Sequence, residues 1–556
     1  MRLPASVRYF FLLPALSALL LWLAWPPLPF TLLIFTGFIP LLINQQKIAE
    51  IYKVKTGLKI WIADYIGLLI WNICTTWWVC NSTVVGGAFA ILTNALLMTI
   101  PFILFRYTKK YAGERLGFIS LVVYWMAFEY LHLRWELTWP WLTLGNVFAY
   151  NHTWVQWYAY TGVFAGTLWI WVVNILIYDV LKPFVFKNGY SEKKHSPFFK
   201  TYTPLLFILL LIVVPIICSK QIYKNQKDQG EPINVTVVQP NFNPFTEKFS
   251  IPYDQQMKKM LSLSVQKLTD TTDYLVWPET AIPNAIWLND LDRTKSIRMI
   301  RSVTDSFPDL TTIIGINAFE RYLTEEASTV TSRQLINDRT HDTIWFDAYN
   351  TSIQIDTGKN IAYYHKSKLV PGAERMPYPG VFRFLEFFTL ELGGISGTLA
   401  TQDERTPLCN KNGICVATAI CYESVFGEYV TRYVRNGANV IFIITNDGWW
   451  GNTDGHRQHY MYAKLRAIET RKSIARSANT GTSCFINQRG DVDMETDWET
   501  DAVLNKTILA NDIKTFYTRH GDYIGKIGCW FAGALFLYSL FNKYIRKRNL
   551  DNEKLP

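Results

Sequence analysis

Apolar residues fall into two regimes along this chain. Up to about residue 220, and again near the C-terminus, they cluster into long stretches, at 8–25, 28–44, 59–79, 83–106, 116–133, 155–180, 203–219 and 525–543. Each is long enough to cross a bilayer as a helix, which takes about 20 residues. From 233 to about 513 the pattern shortens. Runs rich in β-branched residues recur at 233–239, 274–277, 310–315, 349–355, 414–420, 440–445 and 483–487, and read as buried or half-buried strands. Stretches with helical spacing lie among them, at 250–268, 424–436 and 456–473. Strands alternating with helices predict a layered α/β domain. The polar stretch 325–342 reads as a loop, and no internal repeat is evident. The expected organisation is a seven-helix membrane region over 1–220, a soluble domain over 221–522, and a last span with a basic tail over 523–556.

Composition agrees with a membrane protein. Of the 556 residues 49% are hydrophobic and 18% are charged, less charge than a soluble enzyme of this size carries. A cleaved leader is the competing reading of the first span. No small-residue cleavage site stands out, and the later spans need a consistent topology. Basic residues gather in alternate loops: Lys47, Lys53 and Lys55; Arg106, Lys109, Lys110 and Arg115; Lys182, Lys187, Lys193, Lys194 and Lys200; and Lys543, Arg546, Lys547 and Arg548. By the positive-inside rule, both termini face the cytoplasm and the soluble domain faces outward. The net charge of +10 has the same origin, because residues 231–510 sum to −5 and leave +15 for the rest. The basic balance is therefore a topology signal and not a nucleic-acid footprint, which would place the charge on the soluble part.

Cysteines are used in two ways. Cys74, Cys80, Cys218 and Cys529 lie in or beside spans and read as packing residues. Cys409 and Cys415 bracket an Asn412-Gly413 turn signal. In an oxidising compartment they could close a disulfide across a hairpin; two reduced thiols are the alternative. Cys421 follows the strand-like run 414–420 and precedes a helical stretch. A cysteine nucleophile needs a base for its proton and a cation for the developing anion. Trp277-Pro278-Glu279 offers the base, and Lys366, in Lys366-Ser-Lys-Leu369-Val370-Pro371, offers the cation. A backbone N–H at Tyr422 would share the oxyanion, since a strand-to-helix turn exposes it. Each residue alone has a plain structural reading: a core thiol, a weak tripeptide, a solvated basic patch. The three together, in order and each at a strand end, are far more specific.

Those three motifs, with Ile420-Cys421-Tyr422-Glu423 as the third, resemble the nitrilase or carbon–nitrogen hydrolase superfamily. With the spans around them, the chain is similar to the apolipoprotein N-acyltransferase family. Supporting matches are Val238-Gln239, the run Thr445 to Gly451, Gln458-His459, Arg466 to Glu469, Arg476 to Gly481, and Thr138 to Gly145 in the membrane part. The resemblance implies an αββα sandwich beside about eight membrane helices. It implies Glu279 as base, Lys366 as electrostatic stabiliser and Cys421 as acyl-carrying nucleophile. It further implies Glu374 as a second essential glutamate, Tyr422 and Glu423 as a supporting pair, and Trp449 and Trp450 as an aromatic stretch near the site. A phospholipid, typically phosphatidylethanolamine, would give an acyl chain, and the free amine of a diacylglyceryl apolipoprotein cysteine would receive it. The setting would be the bacterial cytoplasmic membrane, with the enzyme acting as a monomer without cofactor or metal. Departures are Gly372-Ala373 before Glu374, Pro240 after Gln239, and a long polar insert near 320–345.

Two further stretches carry expectations. The aromatic run 380–394 between Lys366 and Cys421 reads as a core helix or as a lid whose Phe residues meet lipid. His456 and His459 lack a third ligand and are not read as a zinc site; Arg457 and His459 are expected to pack or to bind lipid head groups. Two other functions fit parts of the pattern: a membrane-tethered amidase acting on small amides, and a non-catalytic sensor with a degenerate domain. The apolar 380–394 run opposes the first and the intact trio opposes the second.

Overall fold

The computed structural model describes residues 4, 7–186, 197–248, 250–322, 329, 331–336, 343–358, 360–378 and 398–552. The chain forms two compact units. One comprises Met1–Trp77, Gly87–Asn225 and Asp522–Pro556; the other comprises Trp78–Gly86 and Gln226–Gly521. The aromatic run 380–394 lies outside the described residues.

The first unit is helical. Among the described residues six helices are long and apolar enough to cross a membrane: Thr31–Ile51, Thr56–Asn81, Val84–Ala112, Phe164–Val185, Thr203–Asn225 and Tyr523–Asp551. Six of the eight expected spans meet that criterion, and the other two are helices of different form. The first is a shorter apolar helix, Arg8–Ala24. The fifth, Glu114–His132, buries a carboxylate. Glu129 accepts the Leu144 N–H at 2.8 Å, the Thr167 hydroxyl at 2.7 Å and the Trp125 indole N–H at 2.9 Å. Full hydrogen bonding is what makes a polar group tolerable at such depth. Its Leu144 partner belongs to the Thr138–Gly145 motif, which folds as tight buried turns. A Cβ on Gly145 would lie 2.0 Å from the Val163 carbonyl oxygen, so only glycine fits there.

The second unit contains two sheets. The first holds β1 (Glu231–Gln239), β2 (Tyr274–Val276), β3 (Ile282–Trp287), β4 (Thr311–Tyr322), β5 (Arg333–Ile336), β6 (Thr343–Ile355), β7 (Ala362–His365) and β14 (Ala502–Ala510). Its order is β14-β1-β2-β4-β6-β5, with β3 paired to β4 and β7 to β6. The second holds β8 (Leu408–Cys409), β9 (Cys415–Ile420), β10 (Val440–Thr445), β11 (Ile474–Ala478), β12 (Cys484–Ile486) and β13 (Val492–Asp493), in the order β13-β12-β11-β10-β9-β8. Every strand expected from the hydrophobic runs is present. The loop expected at 325–342 is corrected at Arg333–Ile336, which pairs antiparallel with β6 as the exposed edge strand. Its polarity is that of an edge open to water, not of a loop.

The sheets meet face to face. The ring of Tyr274 on β2 packs edge-on against Phe442 on β10 at 5.2 Å, and the Ser477 hydroxyl on β11 donates to the Val238 carbonyl on β1 at 2.9 Å. Alternation sends the neighbouring residue, Leu275, to the opposite face. There it joins Met257, Met260, Ile297 and Ile300 from the helices Tyr253–Val265 and Lys295–Thr304. Gly427–Arg435 and Asp454–Thr470 are helices of the second half. Strands β1, β2 and β4 run parallel, as do β9, β10 and β11. In such sheets the carboxyl ends of the strands open onto a crevice, the usual position for chemistry.

Candidate active site

Glu279 follows β2. Its turn is pressed against β4, where a Cβ on Gly315 would lie 2.6 Å from Glu279 Cα and 2.7 Å from the Pro278 carbonyl oxygen. The next residue, Thr280, has φ +46°, in the left-handed region that non-glycine residues seldom enter. The carboxylate is buried. Its Oε1 accepts the Asn350 side-chain amide at 2.7 Å and the Lys366 ammonium at 3.0 Å.

Lys366 follows β7 and is 1% exposed. Its backbone N–H donates to the Asn350 carbonyl at 2.8 Å, and its ammonium also donates to Glu374 Oε1 at 2.7 Å. Burial alone would pull the ammonium down, but Glu279 and Glu374 hold it well above the usual lysine range. It is a permanent cation between two carboxylates. Glu374 Oε2 accepts the Val370 N–H at 2.9 Å, which folds the segment after Lys366 back on itself.

Cys421 follows β9 and has φ +49°. A non-glycine residue held in this region marks a sharp, strained turn, and two groups hold it. The Ile420 N–H donates to Glu423 Oε2 at 2.9 Å; the Ser424 hydroxyl donates to the Cys421 carbonyl at 2.7 Å. Burial pushes the thiol up, Glu279 pushes it further, and Lys366 and a Thr445 hydrogen bond pull it back. The resting group is therefore a thiol, and its reaction requires a base. Two carboxylates act on the thiol, Glu279 more strongly than Asp447.

Glu423 is fully buried. Its Oε1 accepts Ser367 N–H at 2.7 Å, Tyr364 hydroxyl at 2.9 Å and Tyr429 hydroxyl at 2.6 Å. Burial and the Glu423 charge raise both tyrosines, so both remain donors. Tyr422 packs edge-on against Phe426 at 5.1 Å. Behind the cysteine lies a second buried network. His459 Nε2 is 3.2 Å from the Cys421 carbonyl and 3.0 Å from Ser424 Oγ, while its Nδ1 is 2.9 Å from Asp447 Oδ1. Arg476 pairs with Asp447 Oδ2 at 2.7 Å. Burial would raise Asp447, but Arg476 and His459 hold it well below the carboxylate range. His459 is thus a buried structural group, whereas Arg457 stays on the surface. His456 packs on Trp498, with ring centroids 4.3 Å apart.

Trp449 and Trp450 are half-buried beside these groups. Trp449 meets Phe245 edge-on at 5.2 Å. Trp450 lies between His459 at 5.5 Å and Trp78 at 4.9 Å. Trp78 belongs to the short Trp78–Gly86 segment, whose Asn81 and Ser82 side chains donate to the Trp450 and Trp449 carbonyls at 2.8 and 3.4 Å. A Cβ on Gly455 would lie 2.6 Å from the Trp78 ring.

The structure thus gathers Glu279, Lys366, Glu374, Cys421, Tyr422 and Glu423 around one centre. Sequence reasoning missed Asn350 and Lys248. Asn350 bridges Glu279 and Glu374, with its amide 3.3 Å from the latter. Its one signal is a disfavoured residue type in mid-strand. Lys248 has none, because its ammonium finds its partners, the Glu279 carbonyl and the Thr280 hydroxyl, 31 and 32 residues further on.

Comparison with known proteins settles the family. The model for the carbon–nitrogen hydrolase domain matches residues 234–517, and that for the apolipoprotein N-acyltransferase N-terminal domain matches 17–176. An apolipoprotein N-acyltransferase of Chlorobaculum tepidum is 30% identical over 96% of this chain and 97% of its own. The chain belongs to the apolipoprotein N-acyltransferase family. A second relative of that name, from Geobacter metallireducens, is 25% identical over 93% of each chain. A solved Saccharomyces cerevisiae member of the nitrilase superfamily aligns with 53% of this chain and 95% of its own, at 15% identity and a TM-score of 0.34. The resemblance read from the motifs is borne out. The protein is an acyltransferase that couples apolar membrane helices to a nitrilase-type domain, a pairing that fits lipoprotein N-acylation.

Proposed function

We propose that Glu279, Lys366 and Cys421 carry acyl transfer from a phospholipid to the N-terminal amine of a diacylglyceryl apolipoprotein. The observation that carries this reading is the Lys366 ammonium, bound to Glu279 and Glu374 while both it and Glu279 act on the buried Cys421 thiol. Glu279 takes the thiol proton, and the thiolate attacks the acyl ester carbonyl of the donor. Lys366 and the N–H at the Cys421 turn stabilise the oxyanion. The C–S bond forms, the ester C–O bond breaks, and Glu279 returns the proton to the departing lysophospholipid. The acceptor amine then attacks the thioester. A C–N bond forms, the C–S bond breaks, and the amine proton restores the thiol.

Glu374 and Glu423 hold the lysine and cysteine turns, and Tyr422, Trp449 and Trp450 border the site. Phosphatidylethanolamine is the proposed donor and a monomer the proposed working form. The loop charges support a bacterial cytoplasmic membrane protein with both termini inside and the nitrilase-type domain outside. A disulfide between Cys409 and Cys415 supports the same placement. The proposed division remains a membrane region over 1–220, a catalytic domain over 221–522 and a final span with its tail over 523–556.

Incubation with phosphatidylethanolamine alone should leave a hydroxylamine-labile acyl group on Cys421, detected by mass spectrometry. Adding a diacylated lipopeptide should discharge it, and C421A should lose transfer. An acyl-free Cys421 after incubation, or transfer by C421A, would sink the mechanism. Ammonia release from small amides without transfer would favour an amidase instead.

A further inference from the structure

A second lysine reaches the same centre. Lys248 is 3% exposed, and its ammonium donates to the Glu279 carbonyl at 3.3 Å and to the Thr280 hydroxyl. These are the base itself and the left-handed residue after it. The loop that delivers Lys248 is firmly tied. Its Asn241, at φ +53°, donates its N–H to the Asn479 carbonyl at 2.8 Å, and Asn479 Nδ2 donates to the Phe242 carbonyl at 2.7 Å. The Lys248 N–H donates to the Asn243 carbonyl at 2.9 Å, and its own carbonyl accepts the Gln256 amide at 2.8 Å.

The charge also has a direction. Burial outweighs the opposing pull of Glu279 and Cys421 and leaves the ammonium lowered to about 8. Lys248 therefore bonds the backbone of the base and lies within electrostatic range of the nucleophile. Two carboxylates, Glu279 and Glu374, already share the Lys366 cation. Moving the Cys421 proton to Glu279 creates a thiolate in a buried site, and an additional cation there favours that anion.

We propose that Lys248 is a positioning residue for acyl transfer: it holds the Glu279–Thr280 turn and presents a second positive charge to the Cys421 thiolate. This rests on Glu279 being the base and Cys421 the nucleophile. A purely structural anchor and a charge-presenting one differ in a measurable sign. Loosening the turn exposes Cys421 and speeds its alkylation. Losing a facing cation lowers the thiolate fraction and slows it.

The test uses the full-length protein in phospholipid nanodiscs at pH 7. Iodoacetamide alkylation is read by peptide mapping on Cys421 alone, beside the single-turnover rate of thioester formation. K248M should slow alkylation by about tenfold, the effect of one unit in the thiol. It should slow thioester formation by about 100-fold, the scale of a misplaced base. K248R, which keeps the charge, should recover most of the alkylation rate. T280A, which keeps the cation and removes one anchor, should slow thioester formation while alkylation is unchanged or faster; it carries the positioning arm if K248M fails to fold. Alkylation that is unchanged or faster in folded K248M, or thioester formation unchanged in both K248M and T280A, overturns the proposal. Failure of the underlying mechanism reads differently. C421A would still transfer acyl groups, while the alkylation effect of K248M would remain.

Discussion

Glu423 Oε1 accepts the backbone N–H of Ser367 at 2.7 Å, so the residue after the lysine is held by a side chain two residues after the cysteine. The other oxygen holds Ile420, the residue before the cysteine. One carboxylate therefore sets the spacing between the lysine turn and the cysteine turn. E423Q keeps the shape but turns an amide N–H₂ toward one set of donors. We expect a loss of about 1–3 kcal/mol, the cost of an unsatisfied buried group. Thioester formation should fall by about 100-fold, because the two turns drift apart. Thermal midpoint and single-turnover acylation check it; a normal rate would remove Glu423 from the positioning of the site.

Gly315 makes a related claim from the other side. The three atoms nearest a methyl group there are all backbone of the Glu279 turn. Backbone cannot rotate away as a side chain can, so G315A must push the base outward. The expected result is about 1–3 kcal/mol of destabilisation from overpacking and a fall of about 100-fold in thioester formation. Alkylation of Cys421 should persist. A fully active G315A would show that the turn is not rigid.

Lys472 gives a pH dependence. It is fully buried, and its ammonium donates to the Asn511 carbonyl and, at 2.8 Å, to Asn511 Oδ1. Burial lowers it to about 7, with Asp512 opposing and Lys514 adding. Between about 7 and the ordinary lysine value of 10.5 the unfolded chain holds a proton that the folded one has released. Stability must then rise with pH, by at most about 1.4 kcal/mol per unit. Relative to K472M, the wild-type protein should gain stability from pH 7 to pH 9 and lose that gain as pH falls back. Urea midpoints of both proteins across this range decide it, and a constant difference would refute the assignment.

The disulfide between Cys409 and Cys415 closes a six-residue separation at the start of β9, the end opposite Cys421. Loop-closure entropy assigns such a bridge about 2 kcal/mol. C409S/C415S should melt several degrees lower and acylate Cys421 at the wild-type rate. Loss of acylation in the folded variant would tie the hairpin to the active site.

The proposed trio was legible from local signals: readable hydrophobic strands before two members and a motif around the third. Glu279 follows β2, Cys421 follows β9, and Lys366 heads a recognisable Lys-x-x-Leu-Val-Pro run. Polar elements whose partners lie far away in sequence were hidden. Strand β11 buries Arg476 and Ser477, which satisfy Asp447 and the Val238 carbonyl. Strand β14 is half polar and is recognised only by its pairing with β1. Lys248 looks like any surface lysine until Asn479 fixes its loop. In the membrane part, apolar length announced eight spans. Glu129, held by three buried partners, interrupts that apolar pattern in the Glu114–His132 helix.

Trp78 stands nearly 150 residues ahead of Gln226, yet both belong to the unit that holds the nitrilase-type domain. The boundary in space therefore does not coincide with any single cut in the gene. A fragment expressed from 226 to 521 would lack the indole that covers Gly455 and flanks Trp450, leaving apolar surface open to water. Insertions or tags within Trp78–Gly86, however peripheral they look in a linear map, would land against Trp449 and Trp450.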